Sequence, residues 1–342
     1  MTRMMLAAAL SCAVLSTSIL SGAGPAAAQD MFFRGKTISM LSPSTPGGSY
    51  DFYARIAARY MSDYLPGKPN YVVQNMPGAG GMKAANFLYN VAPKDGTVLG
   101  LMNQTLAHYQ MLLDTDGVQF DVGKFTWIGR VAPTVTLVML WGEAPAKVID
   151  DMKTTEILFG ASSAVSQSYM IPMMMKNLLG YKAKPIVGFS GAAEIYLAME
   201  RGEVHARTGS AETVVASHPD WFKTGKMRVL AQLGAEMDPD APPAPLLMDL
   251  APNEEARKII EFFQSYTVFG NPYAAPPGLP AARTKMLRDA FAEAMKNPEF
   301  LADMKKSQMA VGPMSGEELQ KIAEAVSSTD PAIIAKAKAV LK

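Results

Sequence analysis

Cysteine and histidine are scarce in this sequence. The 342 residues contain one cysteine, Cys12, and three widely separated histidines, His108, His205 and His218. One cysteine cannot form an intramolecular disulfide, and the histidines do not recur at the spacing of a metal-binding motif. We therefore expect no disulfide framework, no metal ion and no cofactor.

No apolar run is long enough for a membrane-spanning helix, and the most apolar segment lies at the N-terminus. There, Arg3 precedes an apolar stretch that ends in the small residues of "GPAAAQD". This order of a basic residue, a short apolar region and small residues is typical of an export signal. We predict that residues 1–28 are such a signal, with cleavage after Ala28, and we exclude them from the fold.

Neither sign of charge predominates. The chain has 32 basic and 31 acidic residues, and loss of the predicted signal removes Arg3 and the only cysteine. A neutral chain lacks the basic surface that attracts nucleic acids or anionic membranes, so we expect no nucleic-acid partner. A mature chain without cysteine also has no thiol nucleophile.

What the sequence does contain is an alternation of strand-like and helix-like segments. From Lys36 these are "KTISMLSP", "SYDFYARIAARYMSDYL", "NYVVQNM", "MKAANFLYNVA" and "GTVLGLM". The order strand, helix, strand, helix, strand predicts an α/β unit with parallel strands. A second unit is predicted from "VTLVMLWG", "EILFGAS", "YMIPMMMKNLLG", "AKPIVGF", "AAEIYLAMERG" and "MRVLAQLG".

The last third of the chain holds fewer elements. We interpret "SYTVFGNP" as a late strand, the segment opened by Pro280 as a helix, and the Lys-rich end as a solvated helix. One strand and a few helices are too little for a third domain, so we expect this part to pack on the first unit.

Two glycine-rich turns stand just before predicted helices. The first contains Gly47 and Gly48, and the second contains Gly78, Gly80 and Gly81. The first N–H groups of a helix have no partner within it and carry partial positive charge, so such a turn can bind an anion. Glycine lets the backbone approach the ligand closely. Two turns at the carboxyl ends of neighbouring parallel strands would face one crevice.

Tight turns favour glycine for conformational reasons too, but a pair of them favours anion binding. Nucleotide motifs are absent, because "GAGGMK" has Lys83 where the last glycine of G-x-G-x-x-G belongs, and no P-loop occurs. A small anion such as a carboxylate is the better candidate. Asp51 would repel an anion if it pointed inward, so we interpret it as structural, capping the helix start and pairing with Arg55.

The segments "PGGSYDFYAR", "VVQNMPGAGGMKAANFL" and "APKDGTVLG" closely resemble the signature order of the tripartite tricarboxylate transporter receptors, the TctC or Bug family of periplasmic solute-binding proteins. The resemblance extends over nearly the whole mature chain. It implies an α/β, two-lobed binding protein of the Venus-flytrap kind (type II), in which each lobe is a sheet flanked by helices and the ligand cleft lies between. The implied division places residues 29–132 and 267–342 in lobe 1 and residues 133–266 in lobe 2.

The same resemblance implies a monomeric periplasmic receptor that captures a small organic carboxylate and delivers it to the permease subunits of a membrane transporter. In that family the two glycine turns hold one carboxylate, largely through backbone N–H groups and ordered water. The implied ligand-binding residues of the first lobe are Ser44, Gly47, Gly48, Ser49, Gly78, Ala79, Gly80, Gly81, Asn103 and Gln104. Those of the second lobe are Ser162, Ser163, Phe189, Ser190 and Gly191.

Two departures from the family pattern leave the ligand open. This chain has "FSG" where many members have a triplet such as Tyr-Lys-Gly, and it has Ser44 at a position often taken by Phe. A mono-, di- or tricarboxylate, aliphatic or aromatic, is compatible with the sequence. Arg207 could hold a second carboxylate bidentately, and the alternative is that it forms a surface or hinge salt bridge.

Two other functions remain as alternatives. "VGFSGAA" nearly spells the nucleophile elbow G-x-S-x-G of an exported α/β hydrolase, with Ser190 as nucleophile. Ala192 breaks the motif, and His205 and His218 follow too soon for the strands that such a fold requires, so we expect no enzyme. The third possibility is a sensor protein that presents its ligand-bound form without serving a transporter.

Overall fold

A computed structural model of the chain describes residues 32–47, 49–113, 116–164 and 166–342. The predicted export signal and Gly48 lie outside these ranges. The described residues form two sheets flanked by helices. We call the part around the six-stranded sheet the first lobe and the part around the five-stranded sheet the second lobe. No helix within these ranges is long and apolar enough to cross a membrane.

The strands are β1 (Thr37–Ser42), β2 (Asn70–Asn75), β3 (Val98–Leu101), β4 (Thr126–Arg130), β5 (Thr136–Trp141), β6 (Ile157–Ala161), β7 (Ala183–Val187), β8 (Ala206–Gly209), β9 (Met227–Leu233), β10 (Pro272–Ala275) and β11 (Met314–Ser315). The α-helices are α1 (Ser49–Tyr64), α2 (Met82–Asn90), α3 (Leu106–Leu112), α4 (Gln167–Leu179), α5 (Ala192–Glu200), α6 (Ala211–Ser217), α7 (Glu254–Phe269), α8 (Ala281–Ala294), α9 (Pro298–Lys306), α10 (Gly316–Ser327) and α11 (Pro331–Val340).

The strand order brings the predicted turns together. The first sheet has the order β11-β4-β10-β3-β1-β2, with β2 and β3 both parallel to β1. The second sheet has the order β7-β6-β8-β5-β9, with β7 and β8 both parallel to β6. Because parallel strands end at the same edge, the loops after β1, β2 and β3 lie side by side, as do those after β6, β7 and β8.

Alternating side chains give the first sheet a core on each face. Met40 lies in the core under α1 and α8, whereas its neighbour Leu41 lies in the core under α2 and α3. The side chains of successive strand residues point to opposite faces, so a sheet covered on both sides buries them all. The second sheet has its own core, which includes Phe159, Tyr196 and Phe263.

The chain passes between the lobes three times; the last passage lies between α10 and α11, and the other two run side by side. The first runs over residues 131–135, and the second consists of Gly270 and Asn271. The N–H of Asn271 donates to the carbonyl oxygen of Ala132 at 3.0 Å. A Cβ atom on Gly270, whose φ is +55°, would overlap that carbonyl oxygen. The close pairing of the two segments therefore requires glycine at this position and makes them a compact hinge.

The structure corrects the prediction for "SYTVFGNP". Residues up to Phe269 are helical and belong to α7, and the strand that follows is β10. The β-branched and aromatic residues favour a strand locally, but Phe262, Tyr266 and Phe269 recur at helical spacing and are all buried. Tertiary burial therefore outweighs the local preference.

The C-terminal helix also departs from expectation. We expected the last third to pack on the first unit and its end to be a solvated helix, yet Ala337 and Val340 of α11 are buried in the core of the second lobe. The side-chain amide of Asn177 in α4 donates to the carbonyl oxygen of Val340 at 2.8 Å. The division at residues 132/133 and 266/267 stays a prediction.

Candidate functional site

The first glycine turn is held by a buried carboxylate. Asp51, in the first turn of α1, is 4% exposed and accepts hydrogen bonds from the N–H of Gly47 at 3.0 Å and from Arg55 Nε at 2.9 Å. The side chain of Asn75 donates to Asp51 Oδ1 at 2.8 Å and to the carbonyl oxygen of Ser44 at 2.9 Å. The bond with Arg55 is the main reason that the pKa of Asp51 falls to about 2. Asp51 therefore has the structural role that the sequence indicated.

The second turn has an unusual backbone. Gly78, Ala79, Gly80 and Gly81 all have positive φ, with values of 140°, 47°, 62° and 94°. Side chains at Gly80 and Gly81 are excluded by close neighbours. A Cβ atom on Gly80 would lie 2.6 Å from Tyr109 Oη, and one on Gly81 would lie 2.9 Å from Asn103 Cβ.

The two turns meet each other and the segment that follows β3. The Cβ position of Gly81 is 3.3 Å from Pro43 Cβ, so the second turn rests on the start of the first. Asn103 lies beside Gly81, and its Oδ1 accepts from the N–H of Thr105 at 2.9 Å and from Thr105 Oγ1 at 2.7 Å. The structure thus brings the predicted first-lobe residues together, with Gly48 outside the described ranges.

Gln104 connects the first lobe to the hinge and to the second lobe. Its N–H donates to Tyr50 Oη at 3.3 Å, and its Oε1 accepts from Thr134 Oγ1 at 2.5 Å. Its Nε2 lies 3.5 Å from Oε1 of Gln167, the first residue of α4. Burial raises the pKa of Tyr50, so its phenol stays protonated. The cleft therefore has neutral polar groups at this end.

The predicted serines of the second lobe lie in a hydroxyl-rich loop. Ser162 and Ser163 follow β6 directly and are exposed. The N–H of Ser162 donates to Ser168 Oγ at 3.1 Å, and Ser166 Oγ donates to the carbonyl oxygen of Ser163 at 2.7 Å. These bonds fix the loop while the side chains of Ser162 and Ser163 stay open to solvent.

Phe189, Ser190 and Gly191 follow β7 and lead into α5. The N–H and the hydroxyl of Ser190 both donate to Glu194 Oε2, at 2.6 and 2.7 Å. The two bonds lower the pKa of Glu194, so its carboxylate is ionised at neutral pH. Phe189 is half-buried against the second core.

No histidine serves Ser190 as a base. His108 is fully buried, with Nε2 2.8 Å from the carbonyl oxygen of Phe262, and burial lowers its pKa to about 4. His205 Nδ1 accepts from the N–H of Leu158 at 3.2 Å, and His218 stacks on Trp221 with ring centroids 3.6 Å apart. The geometry does not support the hydrolase alternative, because the nucleophile serine of an α/β hydrolase needs a histidine within hydrogen-bond reach.

Arg207 is buried without a salt bridge. The residue is 6% exposed, and its Nε and Nη1 atoms have no hydrogen-bond partner in the described part of the chain. The guanidinium carbon lies 4.6 Å from the centre of the Tyr196 ring. Burial lowers the pKa of Arg207, although a guanidinium remains charged at any ordinary pH. The surface or hinge salt bridge that we considered from the sequence is not formed among these residues.

A groove of about 870 Å³ also lies between the lobes, where α6 faces the loop after α9. It is lined mainly by apolar side chains such as Phe222, Leu301 and Met309. Glu212 lies on its second-lobe wall, and its Oε1 accepts from the N–H of Ala310 at 2.9 Å and from Tyr53 Oη at 3.3 Å. None of the residues that we predicted for ligand binding lines this groove within the described ranges.

Several residues that contact this region were not predicted from the sequence. Tyr50, adjacent to Asp51, could have been chosen from its place at the helix start. Tyr109 and Thr134 carry no local signal, because only the tertiary structure places them beside Gly80 and Gln104. Contacts between residues far apart in sequence cannot be derived from periodicity or spacing.

Comparisons with known proteins agree with this fold. The family model described as "Tripartite tricarboxylate transporter family receptor" (TctC) matches residues 53–338. A Cupriavidus necator protein called "UPF0065 protein in gbd 5'region" is 26% identical over 324 residues, which cover 91% of this chain and 90% of that protein.

Two solved structures are similar in fold. One is an R. palustris protein with adipate, with a TM-score of 0.67 and 18% identity over 89% of this chain and 98% of that chain. The other is MatC from Rhodopseudomonas palustris with bound malate, with a TM-score of 0.64 and 19% identity over 91% of this chain and all of that chain (100%). The match of the family model over most of the sequence, together with the two-lobed fold, shows that the chain belongs to the tripartite tricarboxylate transporter receptors, a family of periplasmic solute-binding proteins.

Proposed function

We propose that this receptor binds a small organic carboxylate in the cleft between its lobes and delivers it to the membrane subunits of a tripartite tricarboxylate-type transporter. It acts as a monomer in the periplasm, after removal of residues 1–28. Membership of the receptor family supports the transport role. The malate and adipate in two proteins of similar fold support a carboxylate as ligand.

The observation that carries the proposal is the backbone of residues 78–81. Four successive positive φ angles, three of them at glycine, expose backbone rather than side chains at this turn. Tyr109 and Asn103 leave no room for a Cβ atom at Gly80 and Gly81. The N–H of Gly81 donates to the carbonyl oxygen of Gly78 at 2.9 Å, so the N–H groups of Ala79 and Gly80 are the ones that can approach an anion closely and hold it without a fixed charge. The second turn thus forms the floor of the carboxylate site.

The start of α1 supplies the opposite wall. Helix α1 has 16 residues, and its N-terminal end carries partial positive charge toward the cleft. Ser49 and Ser44 place hydroxyls at this end. The N–H of Gly47 is bound to Asp51, so Gly47 shapes the turn and leaves ligand contact to its neighbours.

The second lobe completes the site when it closes. Ser162 and Ser163 offer hydroxyls, Ser190 and Gly191 lie at the start of α5, and Phe189 provides an apolar surface for the body of the ligand. Closure by rotation about residues 131–135 and 270–271 brings these groups onto the bound carboxylate. The residues bind and release the ligand without chemical change, because the hydroxyl of Ser190 donates to Glu194 and has no histidine within hydrogen-bond reach to activate it.

The experiment is a thermal-shift screen followed by calorimetry. The protein is exported by the host, stripped of bound ligand by unfolding and refolding, and tested against aliphatic and aromatic mono-, di- and tricarboxylates. A ligand at a hundred times its Kd should stabilise the native state by about 2.7 kcal/mol and raise the melting temperature. The absence of a shift in melting temperature with every carboxylate would contradict the proposal.

The intact mass of the exported protein tests cleavage after Ala28.

A further inference from the structure

We propose that Arg207 binds a second anionic group of the ligand, so that the receptor selects small aliphatic dicarboxylates over monocarboxylates of the same length. This inference rests on the proposed function and concerns the second-lobe wall of the same cleft. It identifies Arg207 as the residue that distinguishes a dianion from a monoanion.

The first observation is an uncompensated buried charge. Arg207 is 6% exposed, and two of its three nitrogen atoms, Nε and Nη1, are buried without a hydrogen-bond partner. A guanidinium in such a place normally has a carboxylate beside it, because burying an unpaired charge is unfavourable. The ring of Tyr196, with its centre 4.6 Å from the guanidinium carbon, attracts the cation but carries no full negative charge to neutralise it.

The second observation is that the flanking carboxylates are already engaged elsewhere. Glu194 of α5 accepts two hydrogen bonds from Ser190, and Glu212 of α6 accepts hydrogen bonds from Ala310 and Tyr53. No ion pair with Arg207 occurs among the residues that the structure describes. Within the described part of the chain no carboxylate pairs with Arg207, which leaves that role to the anion of a bound ligand.

The third observation is the direction of the side chain. Of the guanidinium atoms, Nη2 lies nearest to Gly209, only 2.4 Å from where a Cβ atom would stand on that residue. Gly209 ends β8, so the guanidinium points along the strand toward its carboxyl end. That end faces the first lobe, because Gln167 after β6 contacts Gln104 and Glu212 after β8 contacts Ala310.

These observations place a planar, five-donor cation at the end of β8 that faces the first lobe, where we propose that the glycine turns hold the first carboxylate. A guanidinium can bind a carboxylate with two parallel hydrogen bonds, which a lysine cannot do. The second carboxylate would remove the energetic penalty of the buried charge. Only a dianion therefore gains this additional binding energy. Gly209 keeps the approach to Nη2 free of a side chain.

The test compares matched ligand pairs in the full receptor. Calorimetry gives the Kd values of succinate and butyrate, glutarate and valerate, and adipate and hexanoate, for the wild type and for Arg207→Met, Arg207→Gln and Arg207→Lys. We expect the wild type to prefer at least one dianion by tenfold or more. Arg207→Met and Arg207→Gln should lose that preference at least tenfold while binding the matched monoanion as before, and Arg207→Lys should be intermediate.

Thermal stability of the ligand-free protein separates a binding role from a structural one. Removing an unpaired buried charge should raise the melting temperature of Arg207→Met while it weakens dianion binding. Arg130→Met is the matched control. Arg130 is also buried, at 9% exposure, but donates to the carbonyl oxygens of Val268 and Gly312. Its replacement should lower the melting temperature and leave the ratio of the two Kd values unchanged.

Three results would overturn the inference. If the wild type binds dianions and Arg207→Gln keeps the same preference, Arg207 does not contact the ligand and only this inference fails. If the wild type, stripped of ligand, binds neither member of any pair nor any other carboxylate, the proposed function fails and this inference fails with it. If Arg207→Met melts at a lower temperature than the wild type and binds the dianion with unchanged affinity, Arg207 has a structural role and the inference fails.

Discussion

The carboxylate of Glu212 in the second lobe accepts a hydrogen bond of 2.9 Å from the backbone N–H of Ala310 in the first lobe. Tyr53, on the buried face of α1, lies 3.3 Å from the same oxygen. The segment that holds Ala310 is in turn bound to the hinge, because the N–H of Gly312 donates to the carbonyl oxygen of Val131 at 2.9 Å. Glu212 therefore stabilises the relative position of the lobes from beside the hinge.

Replacement of Glu212 should weaken ligand binding although Glu212 does not contact the proposed ligand site. Glu212→Ala removes the acceptor of both interlobe hydrogen bonds, so we expect a loss of roughly five- to tenfold in affinity, corresponding to about 1 kcal/mol. Glu212→Gln keeps a carbonyl oxygen in the same place and should lose less. Calorimetry measures the affinity, and small-angle scattering of the ligand-free variant should show a larger radius of gyration. Unchanged affinity and radius in Glu212→Ala would contradict this role.

A side chain at Gly80 should abolish binding. In Gly80→Val the new Cβ atom would stand 2.6 Å from Tyr109 Oη and displace the second turn. Gly35→Val is the matched control, because Gly35 has a φ of +70° and no atom within 4 Å of its Cβ position. Both variants bear the strain of a positive φ, but only Gly80→Val should lose affinity in calorimetry. Similar affinities for the two variants would contradict a close backbone contact with the ligand.

The hydroxyl of Ser49 should matter less than the backbone around it. Ser49→Ala removes one side-chain hydrogen-bond donor and leaves the N–H groups of α1 in place, so we expect a two- to tenfold weaker Kd, or roughly 0.5–1.5 kcal/mol. A loss as severe as that of Gly80→Val would show that side chains, not the backbone, recognise the carboxylate.

The carboxylate of Asp51 should contribute to stability at neutral pH and lose that contribution in acid. Its pKa is about 2 in the folded protein, below the ordinary value of 3.8, so the stabilisation is complete above pH 4 and is lost as the pH falls through 2. Allowing for solvent screening by the exposed side of Arg55, Asp51→Asn should cost about 1–2 kcal/mol at pH 7.

Urea unfolding at pH 7, 4 and 3 measures this effect. The difference between the wild type and Asp51→Asn should shrink from pH 4 to pH 3. Asp63→Asn is the control, since Asp63 is an exposed carboxylate that forms an ion pair of 3.5 Å with the exposed Lys68. A difference for Asp51→Asn that is the same at every pH would mean that packing, not charge, accounts for its effect.

Ser190 should show no nucleophilic activity. Its hydroxyl donates to Glu194 Oε2 at 2.7 Å, and no histidine in the described ranges is placed to accept its proton. We expect no hydrolysis of p-nitrophenyl esters above the buffer rate by the wild type or by Ser190→Ala. Turnover by the wild type that disappears in Ser190→Ala would restore the hydrolase alternative.

Elements with strong local signals could be predicted from the sequence. The helix of residues 49–64 and the strands before and after it follow from periodicity, and the two glycine turns follow from composition at the ends of strands. The neighbouring positions of these turns also followed from the sequence, because three parallel strands joined by helices end at one edge. The structural role of Asp51 could be foreseen as well, since its partners Gly47 and Arg55 are each four residues away.

Features that depend on contacts between residues far apart in sequence became apparent only in the folded chain. Strands β4, β8 and β10 are short and buried along most of their length, so they lack the alternation that would have revealed them, and α7 replaced the strand that we predicted before β10. The interlobe bond of Glu212, the contact of Tyr109 with Gly80 and the unpaired burial of Arg207 join residues that no local pattern connects. Local sequence fixes backbone preference and which face is apolar, whereas pairing and burial depend on how the whole chain packs.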